Sequence, residues 1–240
     1  MFYDNGMKKE LHALWPGGPL YRGDAVNADS LCLAAFASGI PARRACDLGC
    51  GSGILMLLLA WGDPALAVEG IELRPGAAEE CRENLRRNGL DGRCRVVVGD
   101  LRERPLPDGS MDLVVSNPPF FPAGAGRASP DGDRRLMRTE TAVPEELCAA
   151  AAALLRPEGS FCLVHRTARL GEILSSLGAA GLTPRRLRMA ADAPGRDPEV
   201  FFCQAVKGAG GPCVTEPVLY RRDARGRETA EYRSICHWEG

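Results

Sequence analysis

Histidine, lysine and aromatic side chains are scarce in this 240-residue chain: there are three histidines, and Phe, Trp and Tyr together make up 6%. No apolar run is long enough to cross a bilayer; that from Ile54 to Trp61 falls far short. The start of the chain, Met1 to Glu10, is polar and lacks the apolar region of a signal peptide. No membrane association is expected, and a cytoplasmic protein is. The ten cysteines include no Cys-x-x-Cys pair, and the histidines are scattered, so no metal site is expected. Cys162 and Cys203 sit inside apolar runs and read as reduced, buried, small hydrophobes. Internal repeats and low-complexity tracts are absent. The net charge of −1 and pI of about 6.3 lack the basic excess common in nucleic-acid-binding domains. Arginine supplies nearly all the positive charge. It clusters at Arg134/Arg135/Arg138, Arg185/Arg186/Arg188 and Arg221/Arg222/Arg225/Arg227, each cluster being either a solvated face or a phosphate contact.

What is present is a regular alternation. Arg44–Leu48 reads as a short buried strand, Ile54–Trp61 as a helix and Ala67–Glu72 as a second strand. Pro75 suits a first helical position and Gly89 a left-handed stop. Between them Ala77, Ala78, Cys81 and Leu85 recur at helical spacing. Strands follow at Arg95–Val98 and Asp112–Val115, a helix at Pro144–Leu155 and a fifth strand at Ser160–His165. Leu170, Ile173, Leu174 and Leu177 mark another helix. Two more strands lie near Arg186–Ala190 and Val200–Val206. This is an α/β pattern: a seven-stranded, mostly parallel, Rossmann-like sheet with helices on both faces. Residues 1–42 are expected to pack on a ligand-binding domain at 43–207, and 208–240 to form a flap or hairpin-like tail. Phe121–Glu140 reads as a long loop.

The first strand runs into Asp47-Leu48-Gly49-Cys50-Gly51-Ser52-Gly53. Glycines permit a tight turn and let backbone amides approach a ligand. The helix that follows turns its positive end toward an anion. Such a loop alone fits a dinucleotide equally well. Three details favour a methionine-derived cofactor. The spacing is Gly-x-Gly-x-Gly, not Gly-x-Gly-x-x-Gly. Asp47 precedes the loop, and Asp100 ends the third strand. Carboxylates suit a ligand bearing a cationic amine and a sulfonium. Glu72, nineteen residues past Gly53, can accept from both ribose hydroxyls. Asp100 with the Leu101 amide can read an adenine edge. The plainer readings are an exposed strand-end acid for Glu72 and a turn former for Asp100.

After the fourth strand comes Asn117-Pro118-Pro119-Phe120. Proline has a fixed φ and no amide hydrogen, so the Pro118 carbonyl is held rigidly. The Asn117 side-chain oxygen is a second acceptor. Two acceptors aimed at one point suit a conjugated amino group, whose lone pair they can direct at an electrophilic methyl. Phe120 offers a stacking face to a planar acceptor.

These residues resemble the class I methyltransferases that use S-adenosylmethionine to methylate exocyclic or amide amines. Three further stretches resemble the bacterial valine-tRNA adenine-N6 methyltransferases: Asp24–Phe36, Asn117–Phe121 with the loop ending at Arg134–Glu140, and Gln204–Gly208 through Pro217–Tyr220. The resemblance implies methylation of the adenine beside the anticodon, with tRNA as partner. It implies Asp29, Asp47, Gly49, Gly51, Gly53, Glu72, Asp100, Leu101 and Asn117 on the cofactor side. Asn117, Pro118 and Phe120 would hold the base as catalytic residues, and Pro119, Phe121, Arg134, Arg135 and Arg138 would meet the substrate. The chain departs from the family in carrying Ala28 where a threonine usually precedes the aspartate. Protein glutamine methyltransferases share the acceptor motif but usually carry a helical domain before the loop. Ribosomal-RNA guanine-N2 enzymes usually carry a long duplicated N-terminal half. A non-catalytic nucleotide-binding protein is the remaining alternative.

Overall fold

The computed structural model describes residues 11–23, 26–119 and 143–237. Each predicted strand and helix between residues 43 and 207 is found, with ends shifted by a few residues. The strands are β3 (Arg44–Leu48), β4 (Ala67–Glu72), β5 (Cys94–Val98), β6 (Met111–Ser116), β7 (Leu155–Arg166), β8 (Leu182–Ala191) and β9 (Val200–Lys207). The helices are α2 (Ile54–Gly62), α3 (Pro75–Arg87), α4 (Pro144–Leu154) and α5 (Leu170–Ala179). Before them come a two-residue hairpin, β1 (His12–Ala13) with β2 (Leu20–Tyr21), and helix α1 (Ala28–Ala37), which starts on an Asn27 cap.

Across the sheet the order is β5-β4-β3-β6-β7-β9-β8. All neighbours are parallel except β9, which runs antiparallel to β7 and β8. From β3 the chain steps outward to β4 and β5, then returns to β6 on the other side. The strand order therefore reverses between β3 and β6, where open α/β sheets bind ligands beyond their carboxyl ends. Strand alternation fills both faces. Phe202 and Val200 point to the layer of α1, α2 and α3, while Phe201 and Cys203 point to that of α4 and α5. Helix α2 is buried from Leu55 through Ala60, as its unbroken apolar sequence requires.

The expected seven strands are extended by two. β10 (Val214–Thr215) and β11 (Leu219–Tyr220) run parallel along the outer edge of β8, giving a nine-stranded sheet. Beyond them the Arg227 carbonyl accepts from the Asp223 amide at 2.7 Å in a tight turn. Helix α6 (Ala230–His237) then packs Tyr232, Ile235 and Cys236 on the core that includes α1. All ten cysteines are free thiols and eight are buried. No helix among the described residues is long and apolar enough to cross a membrane. No group of metal-ligating side chains is assembled among them.

Candidate active site

The register aligns the key positions. Asp47 of β3 lies beside Val115 of β6 and Gly70 of β4, and Glu72 lies beside Val98 of β5. The glycine loop, Glu72, Asp100 and the Asn117 turn therefore leave the same end of four adjacent strands. Gly49 and Gly51 adopt φ of +75° and +54°, where a Cβ is strained, and the space a Cβ would occupy is open on both. Gly53 differs, because a Cβ there would meet Cys81 Sγ of α3 at 2.3 Å. The first two glycines shape an open cradle, and the third lets α3 approach.

Four amides of this loop have partners within the protein. Gly49 and Cys50 both donate to the Ile71 carbonyl (2.9 and 3.1 Å), Gly51 to Glu72 Oε2 (2.9 Å) and Gly53 to the Cys50 carbonyl (2.8 Å). These four are engaged inside the protein.

Asp47 is 1% exposed, and its Oδ1 has no hydrogen-bond partner among the described residues. Burial, reinforced by the charge of Glu72, pushes its carboxyl up to about 8. A buried, unsatisfied carboxylate oxygen is costly alone and is relieved by a cation. The cationic amine of a methionine-derived cofactor meets that requirement, and the open cradle leaves room for it. Glu72 is buried too, so the exposed-acid reading fails. Its Oε1 accepts from the Arg74 amide (2.9 Å) and Nε (3.1 Å), while Oε2 holds Gly51. Three of the four lone pairs of the carboxylate are therefore taken, and Oε2 keeps one for a ligand hydroxyl. Asp100 caps the short 3₁₀ turn Leu101–Glu103 by accepting from the Arg102 amide at 2.9 Å. The Arg102 guanidinium beside it holds its carboxyl below the usual range. It is thus a turn former, just past the end of β5.

On β6, Ser116 Oγ donates to the Leu48 carbonyl at 2.9 Å, tying the acceptor turn to the root of the glycine loop. Asn117 Nδ2 donates to Ser30 Oγ of α1 at 2.9 Å. That bond orients the amide and turns Asn117 Oδ1 the other way. Pro118 is half-buried and Pro119 exposed. Asp29 is raised by burial despite the nearby charges of Arg221 and Arg166, so it sits against the protein's own arginines. Phe120, Phe121, Arg134, Arg135 and Arg138 lie outside the described residues. Sequence reasoning missed Ser30 and Asn84, a buried amide of α3 that donates to the Ser52 carbonyl at 2.9 Å. Only Asn84 left a signal, as a polar residue within the stripe of Ala78, Cys81 and Leu85.

Comparison with known proteins agrees with this geometry. Residues 23–176 match the methyltransferase small domain family. A tRNA1(Val) (adenine(37)-N6)-methyltransferase of Porphyromonas gingivalis is 32% identical over 183 residues, covering 72% of this chain and 71% of its own. The protein of that name from Aeromonas hydrophila is 37% identical over 151 residues, 62% of each chain. Among solved structures, a predicted O-methyltransferase from Agrobacterium tumefaciens aligns with a TM-score of 0.71 at 21% identity, covering 87% of this chain and 95% of its own; it shares the fold. The chain belongs to the methyltransferase small domain family, and S-adenosylmethionine is its methyl donor.

Proposed function

We propose that this chain transfers a methyl group to the exocyclic N6 of an adenine beside the anticodon of a tRNA. The observation that carries the reading is the Asn117–Ser30 bond, which holds one face of the amide and leaves Oδ1 as an acceptor for a substrate N–H. The Pro118 carbonyl is the second acceptor. Together they hold an amino group with its lone pair out of conjugation and directed at the methyl. S-adenosylmethionine supplies that methyl as an electrophile on a sulfonium. The amine needs no base before attack, because its proton becomes acidic only once the new N–C bond has formed.

On the cofactor side, Asp47 Oδ1 receives the cationic amine, Glu72 Oε2 a ribose hydroxyl, and Asp100 with the Leu101 amide the adenine. Gly49 and Gly51 give the cofactor room. Asp29, in the first turn of α1 next to Ser30, belongs with the cofactor residues in this reading. Phe120 stacks on the acceptor base, and Pro119, Phe121, Arg134, Arg135 and Arg138 belong to the substrate side. A base in a folded loop must be splayed out to reach this turn. The names of the relatives support tRNA as the substrate class, and a tRNA substrate puts the reaction in the cytoplasm.

Asn117→Ala tests the acceptor assignment. Losing one preorganised polar contact to the reacting group costs about 10²–10³ in rate. Transfer is therefore expected to fall by that factor, with S-adenosylmethionine binding retained in calorimetry. Loss of binding together with transfer would show that Asn117 serves the cofactor and not the acceptor.

A further inference from the structure

Helix α3 carries an arginine–glutamate ladder on its outer face, with Glu79 and Glu83 paired to Arg82, Arg86 and Arg87. On its inner face is Asn84, fully buried among apolar neighbours. A buried amide is tolerated only when its hydrogen bonds are made, and those of Asn84 are. Its Oδ1 accepts from the Arg22 amide (2.9 Å), and its Nδ2 donates to the Arg22 carbonyl (2.8 Å) and to the Ser52 carbonyl (2.9 Å). One turn later Asn88 repeats the pattern. Its Oδ1 accepts from the Leu20 amide (2.8 Å), and its Nδ2 donates to the Leu20 carbonyl (2.7 Å).

The spacing explains why the pattern works. Residues i and i+4 of a helix are separated by about 6 Å along its axis. Residues i and i+2 of a strand are separated by about 6.6 Å, and their amides and carbonyls face the same edge. Two asparagines one turn apart can therefore pair with alternate residues of a strand, as a neighbouring strand would. The paired strand then presses on the cofactor loop. A Cβ added to Gly23 would come within 2.8 Å of Ser52 Cβ. Asn84 thus joins three backbones: the N-terminal strand, helix α3 and the glycine loop.

We infer that Asn84 and Asn88 are positioning residues for cofactor binding, clamping residues 20–23 as a wall that fixes the glycine loop at Ser52. The inference rests on the cofactor assignment and is independent of which amine accepts the methyl. The clamp acts before any acceptor arrives, so its loss weakens binding of S-adenosylmethionine and leaves turnover at saturating cofactor nearly unchanged.

Calorimetry with S-adenosylmethionine and amide hydrogen exchange on the ligand-free chain test it. For Asn84→Ala, faster exchange at Leu20, Arg22 and the Cys50–Gly51 amides is expected, with Kd raised about tenfold, the scale of one to two lost hydrogen bonds. Asn88 is only half-buried, so Asn88→Ala should fold even if Asn84→Ala does not. It is expected to raise Kd about threefold with the kcat for transfer unchanged. Faster exchange at Leu20 and Arg22 with Kd unchanged would overturn the inference, leaving the asparagines a purely structural role. A wild-type chain that fails to bind S-adenosylmethionine would overturn the cofactor assignment and this inference together, whereas binding without N6 methylation would leave the clamp standing.

Discussion

At the scale of residues, the site turns on carboxylates whose surroundings differ. Asp100 is ion-paired to Arg102 and open to water. Asp47 is sealed in, and its Oδ1 lacks a partner among the described residues. In the ligand-free protein the Asp47 carboxyl titrates near 8, against about 4 in an unfolded chain. Between those values the folded state holds a proton that the unfolded state has released. The ligand-free protein is therefore destabilised as pH rises through that window. Cofactor binding has the opposite slope, because a cationic amine needs the ionised carboxylate. Affinity for S-adenosylmethionine is expected to strengthen as pH rises from about 6 toward 8, with a proton released on binding. Asp47→Asn should flatten that dependence, and calorimetry in buffers of different ionisation enthalpy checks both. An unchanged pH profile in Asp47→Asn would remove Asp47 from the amine site.

The positions of Asp47, Glu72, Asp100 and Asn117 at one end of the sheet were legible in the sequence because each stands at a fixed offset from a strand end. Ser30 was not, because its role is a contact with Asn117, 87 residues away in the chain. Arg102 was not, because its role is the ion pair it makes with Asp100. The glycine loop was legible as a turn, but the internal partners of its Gly49, Cys50, Gly51 and Gly53 amides were not. Spacing shows where amides can be exposed, whereas their partners, the Ile71 carbonyl and the Glu72 carboxylate, come from the neighbouring strand.

At the scale of elements, α2 shows how a helix with no polar face is finished. Its last turn carries no basic residue. The positive charge that complements the helix C-terminus comes from Arg93, whose guanidinium donates to the Ala60 and Leu66 carbonyls and to that of Asp63 at 3.1 Å. Arg93→Ala leaves those carbonyls unpaired. Urea denaturation should show about 1.5–3 kcal/mol less stability, as for hydrogen bonds from a charged donor. No change in the midpoint would mean that water replaces the guanidinium without cost. The long elements were legible from periodicity, whereas α1, α6 and the two-residue strands were not. Helix α1 is buried from Ser30 through Ala34 and again at Phe36 and Ala37. Its sequence therefore lacks the polar stripe that marks an amphipathic helix. Strands β10 and β11 are too short for an alternation to show; the edge of β8 that they cover defines them.

At the scale of the whole molecule, the sheet reverses its order between β3 and β6 and so brings the methyl-donor loop beside the acceptor turn. The Ser116–Leu48 bond crosses that junction. The tail covers the outer edge of β8, which would otherwise offer unpaired backbone to another chain. This architecture serves many acceptors, and what narrows it here is the Asn117–Pro118 turn together with the family. The most direct measurement is therefore of the product. The chain would be incubated with labelled S-adenosylmethionine and total tRNA lacking the modification, and the tRNA then digested to nucleosides. The account predicts label in N6-methyladenosine from the position beside the anticodon. Label in protein glutamine or in N2-methylguanosine, with none in N6-methyladenosine, would contradict it.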